Sequence, residues 1–380
     1  MNIKVVNTLP VPSGQASVNR LLSYSKGLVS LGNEVTVLSS GYLPSPAKHD
    51  TIDGVRIYNF GKKISKPLSL FCALCSMTKA LSKGNTDVVI LVSNAPLLIW
   101  PLYFICKIKG IKYLQEKSEY PFSIMKKGLI NKLYSKLYIN TTYKLFDGLI
   151  VMTKPLIDYF KDLVRKDCKL FEMPMTVDND RFAIEKSSNN RIGDYIAFCG
   201  GLTNTNGISN LIDAFTYVEP LYPKLKLVII GGASNVKEME NYQGIVSKYG
   251  LKNVIFYGKV TREEIPDLLI NAKALLLARP TNMQASAGFP TKLGEYLATG
   301  NPVVVTAVSD IPLYLNSSNS FIVKPDDNKA FADRIIEILS DEINAARIGK
   351  EGQKLALTVF NARVQSKRLD NYLKEIVTNR

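Results

Sequence analysis

Lys292 and Glu295 stand three residues apart in the run GFPTKLGEYLATGNPVVVT, residues 288–306. Three residues is nearly one helical turn, so the ammonium and the carboxylate share a face. Pro290 fits the first turn of such a helix and Gly300 marks its end. Pro302 prevents continuation, and Val303–Val305 begin a buried strand. The unpaired amides at a helix start favour an anion. A phosphate can therefore sit on those amides and Lys292 while a sugar hydroxyl reaches Glu295. The same spacing also suits a plain ion pair on an amphipathic helix.

The run resembles the nucleotide-sugar signature of retaining glycosyltransferases of the GT4 family, which have the GT-B fold. The closest form is the variant P-T-K-L-x-E-Y-L-A-x-G-x-P-V-V of bacterial surface-polysaccharide enzymes. The resemblance implies that Glu295 holds the ribose of a donor nucleotide, and that the loop and helix start, with Pro290, Thr291 and Leu293, hold its diphosphate. It implies chemistry without a metal or other cofactor, with Arg, Lys and backbone amides carrying the departing diphosphate.

Two departures from the family pattern follow. The G-R-L…K-G element that supplies the Arg and Lys corresponds here to GGLTNTNG, residues 200–207, so both cations are missing and Gly201 and Thr203 stand at the donor. Arg279, directly after the strand ALLLA, and Lys292 are the candidate replacements. An Arg at a strand end is also an ordinary surface ion-pair partner. Eight residues before Glu295 the family's first glutamate is Ala287, which moves sugar recognition to the 282–286 loop. The base is expected against the main chain of Gly258, Lys259 and Val260, with uridine as the favoured nucleoside.

In the first half, Gly14 and Gln15 follow the first strand and precede a long helix. That glycine lets backbone approach a phosphate, and it is equally good turn chemistry. A second polar cluster, QEKSEYPF at residues 115–122, follows a predicted strand. Glu119 is the candidate for acceptor contact, with a loop-surface carboxylate as the plain alternative. The lack of G-x-G-x-x-G counts against a nicotinamide enzyme.

These residues need a frame that brings strand ends together. Apolar strands Ile3–Val6, Val35–Leu38, Val55–Tyr58, Val88–Val92, Lys112–Gln115 and Gly148–Met152 alternate with helical patterns. A second series, Tyr195–Cys199, Lys226–Ile230, Val254–Phe256, Ala274–Leu277 and Pro302–Thr306, keeps the same rhythm. The pattern predicts an α/β protein of two doubly wound, Rossmann-like domains facing across a cleft, the GT-B arrangement. With 380 residues, 46% of them hydrophobic, the chain can fill two cores. The expected division is 1–175 for the acceptor, 183–361 for the nucleotide sugar, and a last helix in 362–380 crossing back. The break falls in MPMTVDNDRF, which resembles the family's P-N-G-V-D-x-x-R-F segment and retains Val177, Asp178, Arg181 and Phe182.

Charge is uneven along the chain. Residues 1–180 hold 24 Lys and Arg against 13 Asp and Glu, a net of +11, leaving +4 of the formal +15 for the rest. Lys107, Lys109, Lys112, Lys117, Lys126, Lys127, Lys132, Lys136 and Lys144 interleave with Ile130, Leu133, Tyr134, Leu137 and Tyr138. An anionic membrane surface fits this better than nucleic acid, since Lys outnumbers Arg and no nucleic-acid module is present. A solvated helix face that happens to be basic also fits. The chain has no apolar run of ~18 residues and no signal-peptide layout, so the expectation is a cytoplasmic protein, peripheral at the inner face of the plasma membrane. Five cysteines read as reduced core residues, Cys72 and Cys75 included, and His49 as a solvated loop residue.

The expected activity is retaining transfer of a hexose or N-acetylhexosamine from a nucleotide-diphosphate sugar to a lipid-linked or polysaccharide acceptor. A UDP-N-acetylhexosamine epimerase and a non-catalytic GT-B binding protein are the alternatives.

Overall fold

The computed structural model describes residues 1–13, 15–44, 49–82, 84–121, 128–186 and 192–378. The chain divides into two compact units, Met1–Thr176 with Ala362–Arg380, and Val177–Asn361.

The first unit holds eight strands: β1 (Asn2–Asn7), β2 (Glu34–Ser39), β3 (His49–Ile52), β4 (Val55–Asn59), β5 (Val88–Val92), β6 (Lys112–Lys117), β7 (Gly148–Val151) and β8 (Lys169–Glu172). Their order is β3-β4-β2-β1-β5-β6-β7-β8, parallel except for β3 against β4. The central strands are runs of Val, Ile and Leu because both of their faces are covered. Helices Ala16–Ser30 and Ala362–Thr378 pack there, and Leu369, Leu373 and Ile376 join Ile3, Val5, Val37 and Ile90 in one core. The two helices approach closely at Gly27, where a Cβ would lie 2.0 Å from Ser366 Oγ.

The second unit holds β9 (Tyr195–Cys199), β10 (Lys226–Ile230), β11 (Val254–Gly258), β12 (Ala274–Leu277), β13 (Val303–Thr306) and β14 (Phe321–Val323). Their order is β11-β10-β9-β12-β13-β14, all parallel. Helix Thr291–Thr299 ends at Gly300 with φ +74° and lies against helix Glu342–Leu357. Asn301 ties this end down by donating from Nδ2 to the carbonyls of Leu269, Ile270 and Ala272.

Four local expectations change. His49 is not in a loop: it opens the exposed strand β3, its ring 5.0 Å from that of Tyr58. β6 runs on through Glu116 and Lys117 because both find buried partners. β14 joins the second sheet. Residues Met283–Ala287 form a short helix rather than a loop, started by Asn282, whose Oδ1 accepts from the Ala285 amide.

Candidate functional site

In the second unit, β9 and β12 are neighbours, and the chain leaving their C-terminal ends builds a compact floor. Tyr296, fully buried on helix Thr291–Thr299, pins that helix to the end of β9. The Cys199 amide donates to its hydroxyl at 2.7 Å, and the hydroxyl donates to the Cys199 carbonyl at 3.3 Å. Glycine is required twice at this floor. A Cβ on Gly231 would lie 1.9 Å from the Gly200 carbonyl oxygen, and one on Gly207, at φ +71°, would lie 1.7 Å from that of Ala278.

Two cations meet above it. Lys292, in the first turn of its helix, reaches across the end of β9. A Cβ on Gly200 would lie 2.4 Å from its Nζ, and the ammonium sits 4.5 Å above the ring of Phe198. Burial, with the neighbouring Arg279 charge, brings its pKa down to about 7. Arg279 is only 6% exposed and donates from Nη1 to the Gly288 carbonyl at 2.8 Å, but its buried Nε has no partner. Burial lowers its pKa to about 10. Its backbone is held too, since Thr306 Oγ1 donates to the Arg279 carbonyl and Asp326 Oδ2 accepts from the Thr281 amide. Among the described residues neither cation has a carboxylate ion-pair partner. Two like charges placed together at such cost lack an anion, and one from outside would offset the penalty.

Glu295 does not pair with Lys292, although the two share the helix. Its Oε1 accepts from Arg181 Nη1 at 2.8 Å, and Arg181 Nη2 donates to the Arg262 carbonyl at 2.6 Å. Arg181 was legible only as part of an interdomain resemblance; the sequence offers no spacing that ties it to a residue 114 positions away.

The other expected donor residues divide. Thr291 is half-buried at the helix start and Pro290 caps it. Leu293 corrects the expectation: its side chain is wholly buried in the core and its amide is spent on the Pro290 carbonyl. Gly201 is exposed and accepts from Asn206 Nδ2 at its carbonyl, while Thr203 opens the turn Asn204–Asn206. Gly258 ends β11 at φ +88°, followed by exposed Lys259 and half-buried Val260.

In the first unit, Glu119 is exposed in a bend beyond β6. Gln15 begins helix Ala16–Ser30 with its backbone carbonyl, while Gly14 and the segment 122–127, with Lys126 and Lys127, lie outside the described residues. Other members of the polar cluster turn inward. Glu116 accepts from Arg20 Nε at 2.6 Å and from the Tyr24 hydroxyl at 3.0 Å, and Arg20 also donates to the carbonyls of Met173 and Pro174. Lys117 is buried, donates to Asn94 Oδ1, and has its pKa brought down to about 8 by burial. It is thus removed from the basic surface, as is Tyr138, whose hydroxyl donates to the Asn94 carbonyl. Cys106, Cys168 and Cys199 are buried free thiols, pushed up to about 12, whereas Cys75 is exposed. Among the described residues, no group of three or more His, Cys, Asp or Glu could hold a metal ion.

The floor, the two cations and Glu295 all lie in one stretch of chain. Residues 179–355 match the family model of glycosyl transferases group 1. The capsular polysaccharide biosynthesis glycosyltransferase CapM of Staphylococcus aureus is 24% identical over 194 residues, 47% of each chain. A GDP-mannose-dependent phosphatidylinositol monomannoside mannosyltransferase of Mycolicibacterium smegmatis is 27% identical over 218 residues, 54% of this chain and 56% of that one. The chain thus spans about half the length of these curated relatives. Sucrose-phosphate synthase from Thermosynechococcus elongatus superposes with a TM-score of 0.81 at 16% identity over the full length of both chains. Anabaena HepE, solved with UDP, gives 0.73 at 15% identity over 99% of this chain and 100% of that one. These likenesses establish the GT-B fold of two Rossmann-like domains.

Proposed function

We propose that this protein is a retaining glycosyltransferase that moves a hexose or N-acetylhexosamine from a nucleotide-diphosphate sugar to a lipid-linked or polysaccharide acceptor in surface-glycan assembly. The observation that carries this reading is the pair Lys292 and Arg279, two adjacent cations with a free guanidinium N–H and no carboxylate partner among the described residues. A diphosphate leaving group gains negative charge as the sugar gains positive charge. Cations already fixed at that point stabilise the transition state without reorganising. The amide end of helix Thr291–Thr299 adds to the same field. No metal is then needed to carry the charge. Glu295 would meet the ribose and the backbone around Gly258 the base, with uridine favoured by the UDP bound to HepE. Glu119 would contact the acceptor, and the departing phosphate would take its proton.

Calorimetric titration with UDP and GDP tests this. The expected result is binding of one of them, lost in a Lys292→Met, Arg279→Met double variant. A wild-type protein that binds neither removes the reading. A UDP-sugar incubated without acceptor should keep its sugar configuration, since a new isomer would signal an epimerase.

The same reading places the protein at an anionic membrane surface on the cytoplasmic side. Among the described residues no helix is long and apolar enough to cross a membrane. Helix Pro96–Lys109 exposes Leu97, Trp100, Phe104 and Ile108 beside Lys107 and Lys109, and helix Leu129–Thr142 exposes Leu133 and Leu137 beside Lys132 and Lys136. Apolar side chains flanked by lysines suit insertion among anionic headgroups, each lysine contributing roughly 1 kcal/mol. Co-sedimentation with anionic but not zwitterionic vesicles is the expected outcome.

A further inference from the structure

Three separate pieces of the second unit converge on one guanidinium. Arg181 lies in the turn Asn179–Phe182, directly after the start of the unit at Val177. Its Nη1 holds Glu295 Oε1 on helix Thr291–Thr299, and its Nη2 holds the Arg262 carbonyl, in the loop between β11 and helix Ile265–Ile270. The guanidinium also lies 5.5 Å from the centroid of the Phe182 ring. Its side chain is 18% exposed and that of Glu295 is 27% exposed. Glu295 Oε2 has no hydrogen-bond partner among the described residues, so one carboxylate oxygen is fixed and the other is available.

This arrangement exceeds what an ion pair for stability would require. A partly exposed pair contributes little to folding. A planar guanidinium bonded at both Nη atoms, however, holds one oxygen of the carboxylate and ties it to the loop that follows Gly258. A lysine has no such fork and would reach only one of the two acceptors. A carboxylate free to rotate would lose part of its hydrogen-bond energy to ordering when a ligand arrives.

We propose that Arg181 is a positioning residue that makes the site selective for ribonucleotides. It holds Glu295 so that the free oxygen receives a ribose hydroxyl, and it locks the distance between that oxygen and the base-contacting loop. The inference rests on the reading that Glu295 meets the ribose.

The test is calorimetry on the full chain with UDP, or GDP if that binds more tightly, against the same nucleotide lacking the 2′- or the 3′-hydroxyl. Wild type should prefer one ribonucleotide over its deoxy form by roughly 10- to 100-fold, the range of a hydrogen bond to a charged group. Arg181→Met should weaken the ribonucleotide about tenfold or more and leave the deoxy form nearly unchanged, so the preference collapses. Arg181→Lys, which conserves the charge, should recover part of it. Equal weakening of both ligands in the Met and Lys variants, or an unchanged preference, overturns the proposal, because a merely structural arginine cannot distinguish them. Glu295→Gln separates the two levels. If it keeps the full preference, the ribose reading fails. If it loses the preference while Arg181→Met and Arg181→Lys retain it, only the role of Arg181 fails.

Discussion

Lys292 Nζ stands 4.5 Å above the ring of Phe198, and burial brings its pKa down to about 7. Near neutral pH the ligand-free site therefore holds this amine partly uncharged, and a bound anion draws the proton back. UDP binding at pH 8 should take up about one proton, and affinity should fall as pH rises above about 7. Calorimetry in two buffers of different ionisation enthalpy reads this directly. A binding enthalpy independent of buffer, or the same uptake in Lys292→Met, counts against it. The sign for folding follows from the same shift. Between about 7 and the ordinary value of 10.5, the unfolded chain binds the proton and the native chain does not, so this lysine adds stability as pH rises.

Arg279 offers a cleaner separation of phosphate from base. Its free Nε lies in the same cluster as Lys292, just after β12, which is three strands away in the sheet from β11, where Gly258 stands. Arg279→Met should weaken a nucleoside diphosphate roughly 10- to 100-fold, the loss of one or two charge-assisted hydrogen bonds, and leave the free nucleoside unaffected. Competition binding with uridine and UDP measures both. Equal losses for the two ligands would mean that the arginine only supports the fold.

Gly207 and Gly250 make a matched pair for backbone strain. Both have left-handed φ, +71° and +66°, but only Gly207 faces another chain segment, with the Ala278 carbonyl oxygen 1.7 Å from where a Cβ would stand. Gly250→Ala should cost about 1 kcal/mol, the left-handed penalty alone. Gly207→Ala must also push apart β12 and the turn before helix Ile208–Val218. It should cost clearly more than Gly250→Ala in urea unfolding and weaken UDP as Arg279 shifts. Similar costs for both substitutions would sink this account.

Glu116 tests the first unit. Arg20 and Glu116 are both buried, and Arg20 is further held by the Met173 and Pro174 carbonyls. Glu116→Ala strands a buried guanidinium and should cost about 3–5 kcal/mol, while joint replacement by Arg20→Met and Glu116→Leu should recover much of it. Denaturant midpoints of Glu116→Ala, of Arg20→Met and of the double variant decide the matter, and additive losses in the double variant would contradict it.

The signature helix was legible for local reasons. Pro290, Gly300 and Pro302 are short-range punctuation, and Val303–Thr306 is an apolar run that can only be a buried strand, so residues within a few positions determine helix Thr291–Thr299 and β13. β14 has three residues and β3 begins with His-Asp-Thr, too short or too polar to stand out from loop. β6 looked finished at Gln115 because Glu and Lys seldom continue a buried strand. Arg20, 96 residues away, is what admits Glu116 to the interior.

The amino-acid order by itself determined the alternation of strands and helices, the phosphate-ready helix and the presence of Lys292, Arg279 and Glu295 near its start. All of these depend on period, caps and neighbours. Tertiary structure alone decided partnerships. The i,i+3 spacing permitted a Lys292–Glu295 ion pair, yet Arg181 occupies the carboxylate and leaves Lys292 over Phe198 beside Arg279. Pairing between residues 114 positions apart depends on how the turn Asn179–Phe182 packs against helix Thr291–Thr299, and sequence spacing carries no record of that.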